Sequence, residues 1–290
     1  MLVLDTRIAV KFAYDGTNFF GYQRQKDKKT VEGEIVRALT ENNIIRNTAE
    51  SIFRSAGRTD RGVSAIGNVI AFNTKFKDAG ILSLLNAKIE DCWFYGIKKV
   101  QSDFNPRYAR QRWYRYFLFD RNYDADLMKN YNTGLMKNHN INSYNISIMK
   151  RCSKYFIGTH DFRNFARMDE RSPIRTIDSI MIKKSGKFIL IDVRAENFLW
   201  NMVRRIVEAL KKAGKGEISI TAIKKALDTD TIYDFGVAPP EPLILMDTIY
   251  DFEFDTDVNI CKRIERKLAE RIWEMELHQN ILTTIARRCK

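Results

Sequence analysis

The chain has 290 residues, of which 44% are hydrophobic and 12% aromatic, and its formal net charge is +13 at pH 7. This composition excludes a disordered chain, and no run approaches the ~20 apolar residues of a membrane-spanning helix. The basic excess implies an anionic partner, most commonly nucleic acid, with an anionic membrane surface as the weaker alternative. The four cysteines and three histidines are scattered without metal-ligand spacing, so we expect a cytoplasmic protein with reduced thiols, no metal and no cofactor.

The first hundred residues are predicted to mix strands with helices. Polar and apolar residues alternate over 7–14, as in a half-buried strand, and Asp15-Gly16-Thr17-Asn18 then predicts a turn. Thr30 is the predicted N-cap of a helix with apolar residues at every fourth position. Further predicted elements are a strand near Val69, a helix over 81–87 and a strand over 94–100.

The second half continues this mixture. The predicted elements are strands over 112–119, 177–183 and 188–195 and helices over 146–156 and 198–212, with Gly214 as the C-terminal cap of the last helix. Because strands and helices do not alternate strictly, the order favours an α+β fold with mostly antiparallel sheets. We predict an N-terminal α+β half (1–105), a C-terminal α+β half (106–255) and a helical extension (256–290).

The extension carries Ile260, Ile264, Leu268 and Ile272 at helical steps of four residues. Its charges are mixed in sign, so two interpretations stay open. It is either a helix docked on the sheet with a solvated charged face, which we favour, or an added RNA-contacting or dimer-forming element.

The run from Ala56 to Val63 (AGRTDRGV) places a carboxylate, Asp60, between two arginines in a glycine-bracketed loop. Apolar runs at Ile52-Phe53 and from Val69 predict strands that would hold this loop rigidly. Neighbouring positive charge favours the carboxylate form, which suits a nucleophile or an electrostatic stabiliser. The alternative is an exposed hairpin loop with a weak surface ion pair.

The run from Phe104 to Tyr116 (FNPRYARQRWYRY) holds four arginines, five aromatic rings and no acidic residue. Guanidinium groups bind phosphates and aromatic faces stack on unpaired bases, so the run suits a flipped or single-stranded nucleotide. An amphipathic strand with its rings in the core and its arginines in solvent explains the same alternation.

These two runs resemble motifs of the TruA family of tRNA pseudouridine synthases. The loop resembles the family's catalytic motif, with Ser64 and Asn68 standing where the family pattern has His and Gln, and RWYRY at 112–116 resembles its Arg-x-Tyr-Arg-Tyr segment. Four further matches follow in the family's order: YDGTNFFGYQRQ at 14–25, GTHDF at 158–162, FLWNMVR at 198–204 and APPEPLIL at 238–245.

The resemblance implies a role for each matched residue. Asp60 is the implied catalytic residue, with Arg204 as its ion-pair partner. Arg58 is implied to fill the space left by the flipped nucleotide. The residues implied to bind substrate are Tyr114, which stacks on the uracil and handles protons, Leu243 and Leu245, which enclose it, and Arg58, Arg107, Arg112 and Gln23.

The resemblance also implies the fold and the reaction. The expected fold has two α+β halves whose sheets join, with a central cleft. The expected protein is a homodimeric isomerase that needs no cofactor and converts uridines 38 to 40 of the tRNA anticodon stem-loop to pseudouridine. Whether Asp60 acts as a nucleophile or as a base towards the sugar stays open. The alternatives are a non-catalytic RNA-binding protein or tRNA chaperone on this scaffold, and the same chemistry on other tRNA stems or other RNAs.

Overall fold

The computed structural model describes residues 5–76, 80–120, 144–170, 172–228 and 231–288. The strands in these ranges are β1 (Thr6–Tyr14), β2 (Arg54–Ser55), β3 (Ser64–Thr74), β4 (Cys92–Lys99), β5 (Gln111–Phe119), β6 (Gly158–Asp161), β7 (Ile174–Ser185), β8 (Phe188–Ala195), β9 (Leu243–Ile249) and β10 (Asp255–Thr256). The α-helices are α1 (Val31–Glu41), α2 (Ile81–Lys88), α3 (Ile146–Ser153), α4 (Met202–Gly214), α5 (Ile220–Asp228) and α6 (Val258–Arg288).

All ten strands belong to one sheet, in the order β10-β4-β1-β3-β9-β5-β8-β7-β6, with β2 beside β3. Neighbouring strands pair antiparallel except β3 and β9, which pair parallel through Ser64 opposite Ile244 and Ala65 opposite Leu245. This short parallel pair joins the N-terminal strands to the C-terminal strands, so the fold is α+β with one mostly antiparallel sheet. After β9 the chain returns to the N-terminal part of the sheet, where β10 pairs with β4.

The main core buries one face of the sheet under the helices. Phe12 and Phe72 from the N-terminal strands and Ile191 from β8 are fully buried there, together with Leu210 of α4. On the opposite face, small residues such as Ala9 and Ala71 are covered by an aromatic group, which consists of Phe104, Tyr250, Phe252 and Phe254. Small residues under large rings let the segment that follows β9 close over the centre of the sheet.

Most predicted elements are present, with shifted ends. The helix expected over 198–212 begins only at Met202, because Asn201 adopts a left-handed conformation with φ of 61°. Gly214 is the last residue of this helix rather than its cap, and Gly216 takes the positive φ of 75°. The helix expected over 146–156 becomes a 3-10 turn after Ser153.

One local prediction was wrong. Ile52-Phe53 does not form a strand, because Ile52 lies in a turn with φ of 46°, and the strand before the loop is only the two residues of β2. The elements β6, α5 and β9 were not predicted from periodicity, although two of them contain matched motifs. The division into halves at 105 and 255 stays a prediction.

Helix α6 docks on the body through its first half only. Ile260 is buried and Ile264 packs against the core, while Arg271 forms ion pairs with Asp91 at 2.7 Å and with Asp15 at 3.4 Å. The large apolar residues after Arg271 are exposed. The favoured interpretation of a docked helix therefore describes residues up to 271. None of the described helices is both long and apolar enough to cross a bilayer.

Candidate active site

The buried side-chain amide of Asn68 fixes the loop between β2 and β3. The side chain of Asn68 accepts a hydrogen bond from Gly57 N at 3.2 Å and donates one to Gly57 O at 3.0 Å. Asn68 is fully buried, so both bonds form in a low-dielectric environment where leaving either group unpaired would be costly. The asparagine thus takes a structural position at which the family pattern has glutamine.

A second set of bonds fixes the residue before Asp60. The hydroxyl of Thr59 is 2.8 Å from that of Tyr14, and the carbonyl of Thr59 accepts from Tyr22 N at 3.1 Å. Burial raises the pKa of Tyr14 far above its usual value, which keeps this hydroxyl protonated. On the other side, the backbone carbonyl of Asp60 itself accepts a hydrogen bond from Val63 N at 3.1 Å, in a turn that contains Gly62 with φ of 85°. The carboxylate therefore stands on a backbone that is held on both sides.

Arg112 of β5 connects the loop to two other segments. Its guanidinium donates to Ala56 O and to Arg107 O, each at 2.9 Å, and to Glu196 O. The residue is 7% exposed. The structure thus places this predicted substrate-binding arginine among protein carbonyls, where it holds the start of the loop.

Asp60 forms an ion pair with Arg204 of α4. Arg204 Nη1 lies 2.8 Å from Asp60 Oδ2. The arginine is itself oriented by two acceptors, Ala238 O at 2.7 Å and Asn201 Oδ1 at 3.2 Å. Its neighbour Arg205 turns away and pairs with Asp234 at 3.0 Å. The resemblance implied this choice of arginine, and the structure brings the pair together.

Trp200 engages the other carboxylate oxygen, an interaction that sequence reasoning missed. Its indole Nε1 donates to Asp60 Oδ1 at 3.1 Å. The Arg167 guanidinium lies 4.0 Å from the centre of the indole ring, and Arg167 N donates to Trp200 O at 2.8 Å. Trp200 lies within the matched run at 198–204, but nothing in the spacing pointed to its contact with Asp60.

The central strands form an apolar wall of three buried residues, Tyr114, Leu243 and Leu245, of which Tyr114 lies close enough to Asp60 for the carboxylate charge to act on its phenol. Tyr114 of β5 stands opposite Leu245 of β9, and Leu243 lies on the same face of β9 two residues earlier. The ring of Phe198 meets that of Tyr114 edge-on at 5.2 Å. Burial raises the pKa of Tyr114 to about 12; the charge of Arg112 opposes this shift and that of Asp60 adds to it. The phenol is therefore neutral at physiological pH.

Arg58, Arg107 and Gln23 are exposed and lie elsewhere, in a cleft of about 720 Å³ beside the loop. Other basic residues line it too, namely Arg24, Lys26 and Arg54, and Glu32 is the one acidic lining residue in the described part of the chain. The site thus has two parts, a carboxylate with an apolar wall and a basic cleft. In the described ranges, no group of three His, Cys, Asp or Glu side chains is placed to hold a metal ion.

Comparison with known proteins gives consistent matches over most of the chain. A family model described as tRNA pseudouridine synthase matches residues 152–251. The curated tRNA pseudouridine synthase A of Thermococcus sibiricus is 40% identical over 268 residues, which cover 91% of this chain and 93% of that protein. The protein of the same name from Pyrococcus abyssi is 40% identical over 91% of this chain and 93% of its own length, and that from Methanothermobacter thermautotrophicus is 38% identical over 84% and 81%.

Among solved structures, the archaeal box H/ACA sRNP Nop10-Cbf5 complex matches with a TM-score of 0.33 and 11% identity, over 70% of this chain and 43% of that one.

The raised pKa of Tyr114 predicts how stability responds to alkali. A phenol whose pKa is higher in the folded state stabilises that state fully below pH 10, and this contribution is lost as pH rises towards 12. Between pH 10 and 11 the free energy of unfolding should therefore fall more steeply in the wild type than in Tyr114→Phe, by about 1 kcal/mol per pH unit. Urea titrations at pH 9, 10 and 11 measure this. Tyr108→Phe, at a site 82% exposed, is the control and should follow the wild type. If the free energy of unfolding falls with pH equally steeply in the wild type and in Tyr114→Phe, the raised pKa of Tyr114 is contradicted.

Proposed function

This chain belongs to the TruA family of tRNA pseudouridine synthases, and we propose that it isomerises uridines 38 to 40 of the anticodon stem-loop with Asp60 as its catalytic residue. The family's enzymes are isomerases that convert uridine to pseudouridine. The single observation that carries the assignment of Asp60 is its carboxylate, bound by Arg204 at 2.8 Å beside the apolar wall of β5 and β9.

The reaction breaks the C1′–N1 glycosidic bond and forms a C1′–C5 bond, after which the proton on C5 leaves and N1 carries a proton. The atoms of substrate and product are the same, so no redox partner is required. Asp60 either attacks C1′ or removes a proton from the sugar; both routes need a charged carboxylate in a fixed orientation. Arg204 on Oδ2 and Trp200 on Oδ1 would supply that orientation, because a carboxylate with a donor on each oxygen has little freedom to rotate.

The uracil would lie against the apolar wall. Tyr114 and Phe198 offer ring faces and edges, and Leu243 and Leu245 exclude water from the base while it turns. Because its phenol is neutral at working pH, we assign Tyr114 to stacking and hydrogen-bond donation rather than to the role of a preformed base. Tyr114 can accept a proton only after it has donated its own.

The basic cleft would hold the tRNA around the extruded nucleotide. Taking a base out of the stack costs a few kcal/mol, which contacts to the neighbouring backbone must offset. Arg58 lies two residues before Asp60 and also lines the cleft, so it can fill the vacated space while Arg107 and Gln23 contact flanking phosphates or sugars. Arg112 would act indirectly, by positioning the loop. We also propose that the enzyme works as a homodimer.

Replacing the carboxylate tests the catalytic assignment. Asp60→Asn keeps the hydrogen-bonding shape and removes the charge, so tritium release from C5-labelled uridine in tRNA should fall by about 1,000-fold or more, while tRNA affinity changes less than about three-fold. Asp251→Asn, at an exposed ion pair with Arg110, is the matched control and should behave as the wild type. Retained turnover in Asp60→Asn, or an equal loss of binding, would show that Asp60 is not the catalytic group.

The target positions are tested with the substrate rather than the enzyme. Transcripts in which uridines 38, 39 and 40 are replaced by cytidine should release no tritium, while transcripts altered in other stems should remain full substrates. Undiminished release from the altered anticodon stem would assign the same chemistry to another part of the tRNA.

The basic cleft predicts the salt dependence of binding. Removing one phosphate contact should lower the magnitude of the slope of log affinity against log salt by about 1, so Arg107→Ala and Lys26→Ala, both in the basic cleft, should each show this decrease in filter-binding titrations. Arg37→Ala is the control, since its guanidinium is already paired with Glu34 at 2.7 Å and with Glu41 at 2.9 Å. Slopes identical to the wild type in both cleft variants would place the tRNA on another surface.

A further inference from the structure

The second half of α6 leaves the body of the protein as a free helix. Arg271 is the last residue of the helix with an ion pair to the body among the described residues, through Asp91 and Asp15. From there the helix continues to Arg288, a further 17 residues that span about 26 Å at 1.5 Å per residue. A helix of this length is marginally stable alone in water, so a persistent one is expected to find a partner.

This free half carries an exposed apolar stripe. Leu277, Ile281 and Ile285 recur every four residues and so lie on one face, where they are 46%, 48% and 55% exposed. Two further exposed apolar side chains extend this surface, since Trp273 precedes Leu277 by the same four residues and Leu282 lies next to Ile281. A contiguous group of exposed apolar side chains marks an interaction surface.

The charges of the free half disfavour RNA as its partner. Between residues 272 and 288 the sequence has two glutamates and two arginines, whereas the whole chain carries a formal net charge of +13. A surface that grips phosphates is built from an excess of Lys and Arg. The apolar stripe without such an excess points to a protein partner.

The order of the charges points to a second copy of this chain. Glu274 precedes the stripe by three residues and Arg288 follows it by three, so both lie on the same face as Leu277, Ile281 and Ile285; we call these five residues the α6 seam. A two-fold axis at Ile281 places Leu277 of one copy opposite Ile285 of the other and Glu274 opposite Arg288. In a parallel pair, each charge would instead face its own kind.

We propose that the α6 seam pairs antiparallel with the α6 seam of a second copy, centred on Ile281. Such an interface is isologous, because each contact occurs twice. The pairing uses the whole free length, since Arg288 of one copy reaches Glu274 of the other, three residues beyond the last ion pair with the body. This inference deepens the proposed homodimer and depends on it for its partner, but not on the catalytic assignment.

The test is a charge exchange, read by sedimentation equilibrium of the full chain in low salt. The wild type should form a weak, concentration-dependent dimer, because two short helices bury only a small interface. Glu274→Arg and Arg288→Glu should each weaken dimerisation about ten-fold, because like charges then face each other in both pairs, and the double variant should recover to within about three-fold of the wild type. Glu276→Arg makes the same charge change on the opposite face of the helix and should leave the dimer unchanged. Ile281→Lys at the exposed centre should give monomers with an unaltered circular dichroism spectrum.

Each of the following outcomes would overturn the pairing of the α6 seams. A dimer indifferent to all of these variants would leave the homodimer standing and place its interface elsewhere. If the wild type stays monomeric at 100 times the protein concentration of the tritium-release assay, both the homodimer and its α6 seam are rejected. Variants that weaken tRNA binding without changing the oligomeric state would make the free half an RNA contact.

Discussion

The ion pair between Asp60 and Arg204 is the interaction on which the arrangement of the site depends. Its members are 144 residues apart in the chain and come from different parts of the sheet, a loop before β3 and the first turn of α4. A single parallel strand pair, β3 with β9, brings these parts together. Since Tyr114 lies on the strand next to β9, the same junction places the apolar wall beside the carboxylate. A half-buried carboxylate without a partner would be costly, so Arg204 offsets the cost of holding Asp60 in this position.

The loop is built to resist movement rather than to adapt. Thr59 and Gly57 are fixed by buried side chains from β1 and β3, and Arg112 anchors the start of the loop to the end of β8. These buried polar groups satisfy one another, and removing one would leave its partner unpaired in a low-dielectric interior. Rigid support of this kind suits a proposed catalytic group that must present one oxygen at a fixed distance from the sugar. By contrast, Arg58, Arg107 and Gln23 of the basic cleft are exposed, so their side chains are less constrained than that of Asp60.

Local patterns in the sequence predicted most strands, the first helix with its Thr30 cap, and the α+β class, because periodicity and capping depend on near neighbours. The motifs also placed Arg204 rather than Arg205 against Asp60. The sequence did not predict that Trp200 contacts the second carboxylate oxygen, because that contact depends on the left-handed turn at Asn201 that delays α4. Nor did it predict that Arg112 is buried among carbonyls, since an arginine that binds phosphates and one that binds backbone look alike in a sequence. For the helical extension the sequence left a docked helix, which was favoured, and an RNA-contacting or dimer-forming element; it could not show where the contact with the body ends, because that depends on the surface of the folded body.

We propose that Asp60 and Arg204 act as one unit in the reaction, and a double-mutant cycle tests this coupling most directly. Single-turnover rates of tritium release would be compared for Asp60→Ala, Arg204→Ala and the double variant, at tRNA concentrations that saturate each protein. Groups that act as a unit are strongly non-additive, so the double variant should be no slower than Asp60→Ala alone. If the two losses multiply instead, Arg204 contributes independently of Asp60, and the ion pair is not the basis of catalysis.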